Sequence, residues 1–119
     1  MHKRSSNSVR HDAVPRETVL AAARKWARAV RERHPEIVRI GYFGSYAGGD
    51  FMPGSDLDVL IEVSEAPPGR RADRGDPYYP RDLPVGVDLF VYTTQELNGA
   101  TKEESSFLAT VNRQVAWLE

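Results

Sequence analysis

Asp56 and Asp58 stand two residues apart at the head of an apolar run, Leu57–Val59–Leu60–Ile61. Side chains alternate across a strand, so both carboxylates fall on one face and Leu57 on the other. Two carboxylates that close repel, and one of them protonates unless a cation sits between them. A hard divalent cation meets that need. Magnesium in particular is held by one or two carboxylates together with substrate phosphates and water. Asp88 is a third candidate, a single charge inside Val85–Gly86–Val87–Asp88–Leu89–Phe90–Val91, where it is costly without a partner. If the two apolar segments pair as strands, Asp88 reaches the face of Asp56 and Asp58. Three converging carboxylates then suit a two-metal Mg2+ site, which stabilises attacking and leaving oxygens together during in-line displacement at phosphorus.

Gly44–Ser45 supplies a different chemistry. A strand that runs into Gly–Ser and then a short turn aims backbone N–H groups and a hydroxyl at one spot, which is how phosphate is cradled. It is not a P-loop, because no Gly-Lys-Ser/Thr follows and the only lysines are Lys3, Lys25 and Lys102. Taken singly, each feature has a plainer reading: Asp-x-Asp after Gly–Ser is common turn chemistry, and Ser45 is an acceptable helix N-cap. Their order along one chain favours the site.

The elements that must position these groups can be read from periodicity. A helix is expected to begin at Pro15, with Val19, Leu20, Ala23, Trp26, Ala27 and Val30 forming one buried stripe. Arg24, Lys25, Arg28 and Arg31 lie opposite, as a solvated face. His34–Pro35 ends the helix, since proline pushes its predecessor out of the α region. Ile37–Phe43 reads as a strand with Val38, Ile40 and Tyr42 on one face. Leu57–Val63 is a second strand and Val85–Tyr92 a third. Residues 64–84 hold five of the eight prolines and read as a long irregular loop. Its Tyr78 and Tyr79 are expected to pack within it. Thr93 and Glu96 form a capping box for a helix near 94–103, and Phe107, Leu108, Val111 and Val115 mark a last helical stripe.

The whole chain sets the bounds. At 119 residues it is one domain, residues 13–119, preceded by a polar, flexible arm over residues 1–12. Helices interleaved with strands predict a small α/β (α+β) domain. A net charge of -1 gives no global reason to expect a nucleic-acid or membrane partner, so any anionic ligand must be held locally. With no cysteine, thiolate zinc sites and cysteine nucleophiles are excluded. The polar N-terminus and short apolar runs make a cytoplasmic protein the expectation.

Gly44–Ser45, then Gly54–Ser55–Asp56–Leu57–Asp58–Val59–Leu60–Ile61, then Val87–Asp88–Leu89–Phe90, resembles the nucleotidyltransferase domain of the DNA polymerase β superfamily, in its minimal nucleotidyltransferase (MNT) branch. The resemblance spans roughly residues 15–103. It implies a mixed sheet flanked by helices and metal binding at Asp56 and Asp58. Asp88 would be a third ligand that helps to deprotonate the acceptor hydroxyl. Gly44 and Ser45, with Ser55 beside the first aspartate, would contact the triphosphate. The implied reaction transfers a nucleotidyl group, AMP from ATP, to an acceptor hydroxyl with release of pyrophosphate. Minimal members often pair with a helical HEPN-type protein as the antitoxin of a toxin–antitoxin system, so a partner protein is the implied acceptor.

One departure counts against turnover. Many members carry arginine where this chain has Gly48, and Arg70, Arg71 and Arg74 in the long loop are the candidates to replace it. The rival reading is a non-catalytic module that keeps the fold and acts by binding a nucleotide or a partner.

Overall fold

The computed structural model describes residues 2–4, 14–100 and 107–118. Its core is a five-stranded mixed sheet in the order β1-β4-β3-β2-β5, built from β1 (His2–Arg4), β2 (Ile37–Phe43), β3 (Leu57–Val63), β4 (Val87–Thr93) and β5 (Ala116–Leu118). Among the described residues three α-helices accompany it: α1 (Arg16–Arg33), α2 (Thr94–Ala100) and α3 (Phe107–Gln114). The α/β (α+β) class with helices flanking a mixed sheet is therefore the observed architecture.

The two faces of the sheet carry separate cores. On one, Val19, Leu20, Ala23, Ala27 and Val30 of α1 pack on Val59, Ile61, Leu89 and Val91. These are the predicted helical stripe and the odd-numbered positions of two strands, so period 3.6 meets period 2 as the apolar pattern requires. On the other face Leu60 and Phe43 meet Leu97 of α2 and Val111 of α3.

Strands β3 and β4 run parallel, whereas the other described pairs are antiparallel. Parallel neighbours need a crossover of a dozen or more residues. That is the physical reason for the long segment between them. It is less irregular than expected, since Arg71–Asp73 and Asp76–Tyr78 form 3-10 turns. Tyr78 is buried in the α1-side core, and its carbonyl accepts from Trp26 Nε1 at 3.1 Å. The segment thus packs as the crossover, and Tyr78 sits in the α1-side core rather than packing within the loop.

Three expectations change. The first residues of the arm expected at 1–12 instead pair antiparallel with β4, His2 opposite Phe90 and Arg4 opposite Asp88; the rest of that arm lies outside the described residues. In β2 the register shifts between Ile37 and Arg39, which turns Ile37 into the core with Ile40 and Tyr42 and leaves Val38 exposed at 42%. A bulge of this kind inserts a residue and inverts the alternation beyond it. Finally, the chain does not end on a helical stripe. It turns after Gln114 into β5, whose Leu118 is buried opposite Ile40 of β2.

The capping box at α2 forms as read: Glu96 N donates to Thr93 Oγ1 at 3.0 Å and Thr93 N donates to Glu96 Oε1 at 2.8 Å. Helix α2 is described to Ala100, and the remainder of the range expected for it lies outside the described residues.

Candidate active site

Asp58 and Asp88 are register partners across the parallel pair β3/β4. Their neighbours Leu57, Val59, Val87 and Leu89 all point into the α1-side core. Alternation therefore turns both carboxylates to the opposite face. Asp56 precedes β3 by one residue, and the amide of Leu57 donates to the carbonyl of Gly86 at 2.9 Å, which extends the pairing to that level. A Cβ at Gly86 would stand 2.6 Å from Asp56 Oδ1. The missing side chain at Gly86 is what lets the Asp56 carboxylate lie against the residue that leads into β4.

Gly44 does the same for Asp58. It opens the 3-10 turn Gly44–Tyr46 directly after β2 with φ +72°, and a Cβ there would collide with Asp58 Oδ2. Any other L-residue would suffer twice, from the left-handed backbone and from the carboxylate. The phosphate-turn candidate and the first carboxylate pair are therefore in direct contact. Ser45, half-buried, is the second residue of the same turn.

Two residues that the sequence reading did not single out fasten this turn. Tyr46 is 1% exposed, and its hydroxyl donates to the carbonyl of Ser55 at 2.9 Å, tying the turn to the approach of β3. Burial, with the nearby Asp56 charge, pushes the Tyr46 hydroxyl up to about 12, so it stays a donor. From α1, Arg16 donates to the Tyr46 carbonyl through Nε at 3.0 Å and Nη2 at 2.6 Å. Arg16 lies 30 residues from Tyr46, and no local pattern signals such a contact. Ser55 shapes its own turn: its hydroxyl donates to the Met52 carbonyl at 2.6 Å.

Asp88 is buried and Asp56 and Asp58 are half-buried, and none of the three is without a partner. Among the described residues, no three His, Cys, Asp or Glu side chains gather closely enough to enclose a metal ion. The three carboxylates share a face but do not form a ready-made cage. Open oxygen donors of this sort fit magnesium, which completes its shell with phosphate oxygens and water rather than with protein alone. Asp56, Asp58 and Asp88 are the residues that would hold it.

Arg70, Arg71 and Arg74 are engaged elsewhere, with Asp73 and Glu96. Arg74 is buried and donates through Nη1 to Glu96 Oε1 at 2.8 Å and to the Val91 carbonyl at 3.4 Å. Arg71 stands 3.4 Å from Glu96, and Arg70 pairs with Asp73 at 3.1 Å. Burial opposes ionisation of Glu96, but the bonds from Arg74 and the Thr93 amide outweigh it and hold its carboxyl below the usual range. These contacts anchor the crossover to the start of α2. They place no cation at Gly48, whose amide closes on the Gly44 carbonyl at 3.0 Å.

Two concavities, of about 650 and 620 Å3, lie beside α1 and at the α1–β2 junction, and neither is lined by any of the three aspartates. The carboxylates lie on the sheet face opposite α1, with Asp88 buried there. No helix among the described residues is long and apolar enough to cross a membrane.

No curated protein matches the chain. Among solved structures, a Sulfolobus solfataricus protein classed as a nucleotidyltransferase superposes with a TM-score of 0.59 at 20% identity, covering 80% of this chain and 85% of that one. At that identity the likeness concerns the fold. The nucleotidyltransferase domain family matches residues 23–112, which takes in the Gly44 turn and all three aspartates. The chain belongs to the nucleotidyltransferase domain family.

Proposed function

We propose that this domain is a magnesium-dependent nucleotidyltransferase that moves AMP from ATP to a hydroxyl acceptor. The observation that supports this most is the register partnership of Asp58 and Asp88 beside the Gly44 turn. One carboxylate pair and one phosphate turn meet at one end of the central strands. In the reaction the acceptor oxygen forms a bond to the α-phosphorus while the bond from that phosphorus to the bridging oxygen of pyrophosphate breaks. Magnesium, when bound, supplies neutralisation of the charge that builds on the phosphate oxygens. Asp56 and Asp58 would hold it, and Asp88 takes up the proton of the acceptor hydroxyl. Gly44 and Ser45 orient the phosphates, with Ser55 keeping the approach to Asp56 in shape.

The acceptor fits a separate protein. A helical HEPN-type partner, with this chain as the antitoxin of the pair, is the expectation that follows from the minimal branch. The test is incubation with ATP labelled on the α- or the γ-phosphate, magnesium and the product of an adjacent gene. Label from the α-position on the partner, none from the γ-position, and loss of both pyrophosphate release and labelling in Asp58→Asn support transfer.

A second reading is favoured by one specific feature. Gly48 brings no cation to the turn, and the loop arginines are engaged at Glu96 and Asp73. A chain that binds nucleotide or partner without turnover would show the same arrangement. It predicts a stable complex without label that forms equally well with Asp58→Asn.

A further inference from the structure

On the carboxylate face, three phenylalanines form one cluster beside the strand positions of Asp58 and Asp88. Phe43 is the register partner of Asp58, and Phe90 lies two residues beyond Asp88 on the same face of β4. Phe107, the first residue of α3, packs on both. Its ring centroid is 6.2 Å from Phe43 and 5.6 Å from Phe90, while Phe43 and Phe90 are 5.4 Å apart. Exposure rises across the trio. Phe43 is 6% exposed, Phe90 is half-buried, and Phe107 is 52% exposed. A ring braced from behind by two others and open to solvent offers a flat apolar surface of the kind that lines ligand sites, and here it lies on the face of Asp58 and Asp88.

We propose that Phe107 is the platform on which the base of the nucleotide stacks; this rests on the reading of the aspartates as a nucleoside triphosphate site. Two residues along a strand advance about 6.6 Å, which is the reach of one sugar between a phosphate and its base. Phosphates engaged at Asp58 and Asp88 therefore leave the base at the level of Phe90 and Phe107. The ring is already immobilised by Phe43 and Phe90, so stacking on it orders little that is not ordered before binding. The trio offers no polar side chain. What the rings recognise is ring area, which every base can satisfy. Purine triphosphates bind better than pyrimidine triphosphates.

The experiment is calorimetric titration of the whole chain in magnesium with ATP, CTP and inorganic tripolyphosphate. Phe107→Leu keeps an apolar side chain on the cluster but removes the ring, and Phe107→Trp enlarges the ring; thermal unfolding checks that both fold. The expected result is ATP binding roughly tenfold weaker or more in Phe107→Leu, retained or tightened in Phe107→Trp, with tripolyphosphate unchanged in both. Equal ATP affinity in the wild type and Phe107→Leu overturns the platform while leaving the phosphate site standing. Loss of self-association or of partner binding in Phe107→Leu, with ATP affinity unchanged, also overturns it and makes this face a protein interface. Failure of the wild type to bind either ATP or tripolyphosphate instead removes the underlying triphosphate reading, and the platform with it.

Discussion

Gly86 and Asp56 stand so close that a single added methyl would touch: a Cβ on Gly86 falls 2.6 Å from Asp56 Oδ1. The same relation links Gly44 to Asp58. Two carboxylates are thus seated on two glycines from neighbouring segments, and each glycine gives a way to move one carboxylate without altering its chemistry.

Gly86→Ala is expected to abolish magnesium-dependent nucleotide binding by displacing the Asp56 carboxylate, while the backbone, whose φ is unexceptional, stays in place. Gly44→Ala acts on Asp58 and also pays for a left-handed φ of +72°, so it should lower stability by about 1–2 kcal/mol. Gly99→Ala is the control: a Cβ in α2 meets nothing within 4 Å, and it should raise stability by about 0.5–1 kcal/mol with binding intact. Urea unfolding and nucleotide titration of the three variants check this. Unaltered binding in Gly86→Ala would separate Asp56 from the site.

Restoring the absent cation is the second prediction. Gly48 is not among the glycines with positive φ, and a Cβ there approaches only the exposed Asp50 side chain, at 2.9 Å, and the Gly44 carbonyl, at 3.5 Å. Gly48→Arg should therefore fold normally. A charge-assisted bond to phosphate contributes about 1.5–3 kcal/mol, so tripolyphosphate and ATP should bind roughly tenfold tighter or more. Unchanged affinity, measured by titration, would show that the phosphates do not lie against this turn.

A third prediction concerns acid stability and a site away from the aspartates. The Tyr78 hydroxyl donates to Glu36 Oε2 at 2.6 Å, and this bond, opposed in part by burial and helped by His34, holds the Glu36 carboxyl below its ordinary 4.5. A depressed folded-state pKa stabilises the fold fully above the unfolded value. That contribution fades as pH falls below about 4.5 and through the lower folded value. Tyr78→Phe removes the bond, so its stability should fall less than that of the wild type between pH 6 and pH 3. Urea midpoints at the two pH values give the comparison, and equal acid losses would count against it.

Much of this arrangement could be read from local sequence, and the exceptions share a cause. The stripe of α1, the start of β3 and the Thr93–Glu96 capping box are each encoded by residues within a few positions of one another. The common face of the aspartates follows from strand alternation once β3 and β4 pair. What escaped depends on distant partners or on too few residues. Three-residue β1 and β5 carry no period of their own and exist as strands only because β4 and β2 offer edges. The bulge that exposes Val38 is set by the pairing with β3. Arg74 looked like a free loop cation because its partner, Glu96, is 22 residues away. The same holds for Arg16, whose role at the Gly44 turn is visible only after α1 has docked.

The most direct measurement of the central claim needs no knowledge of the acceptor. A ligand that binds only the native state raises its apparent stability, so thermal unfolding with ATP, with magnesium and with both reports on the site itself. The account predicts a clear rise in Tm for ATP plus magnesium, much less for either alone, and loss of that synergy in Asp56→Asn and Asp58→Asn. An ATP-dependent rise that is the same without magnesium, or undiminished in both variants, would contradict it.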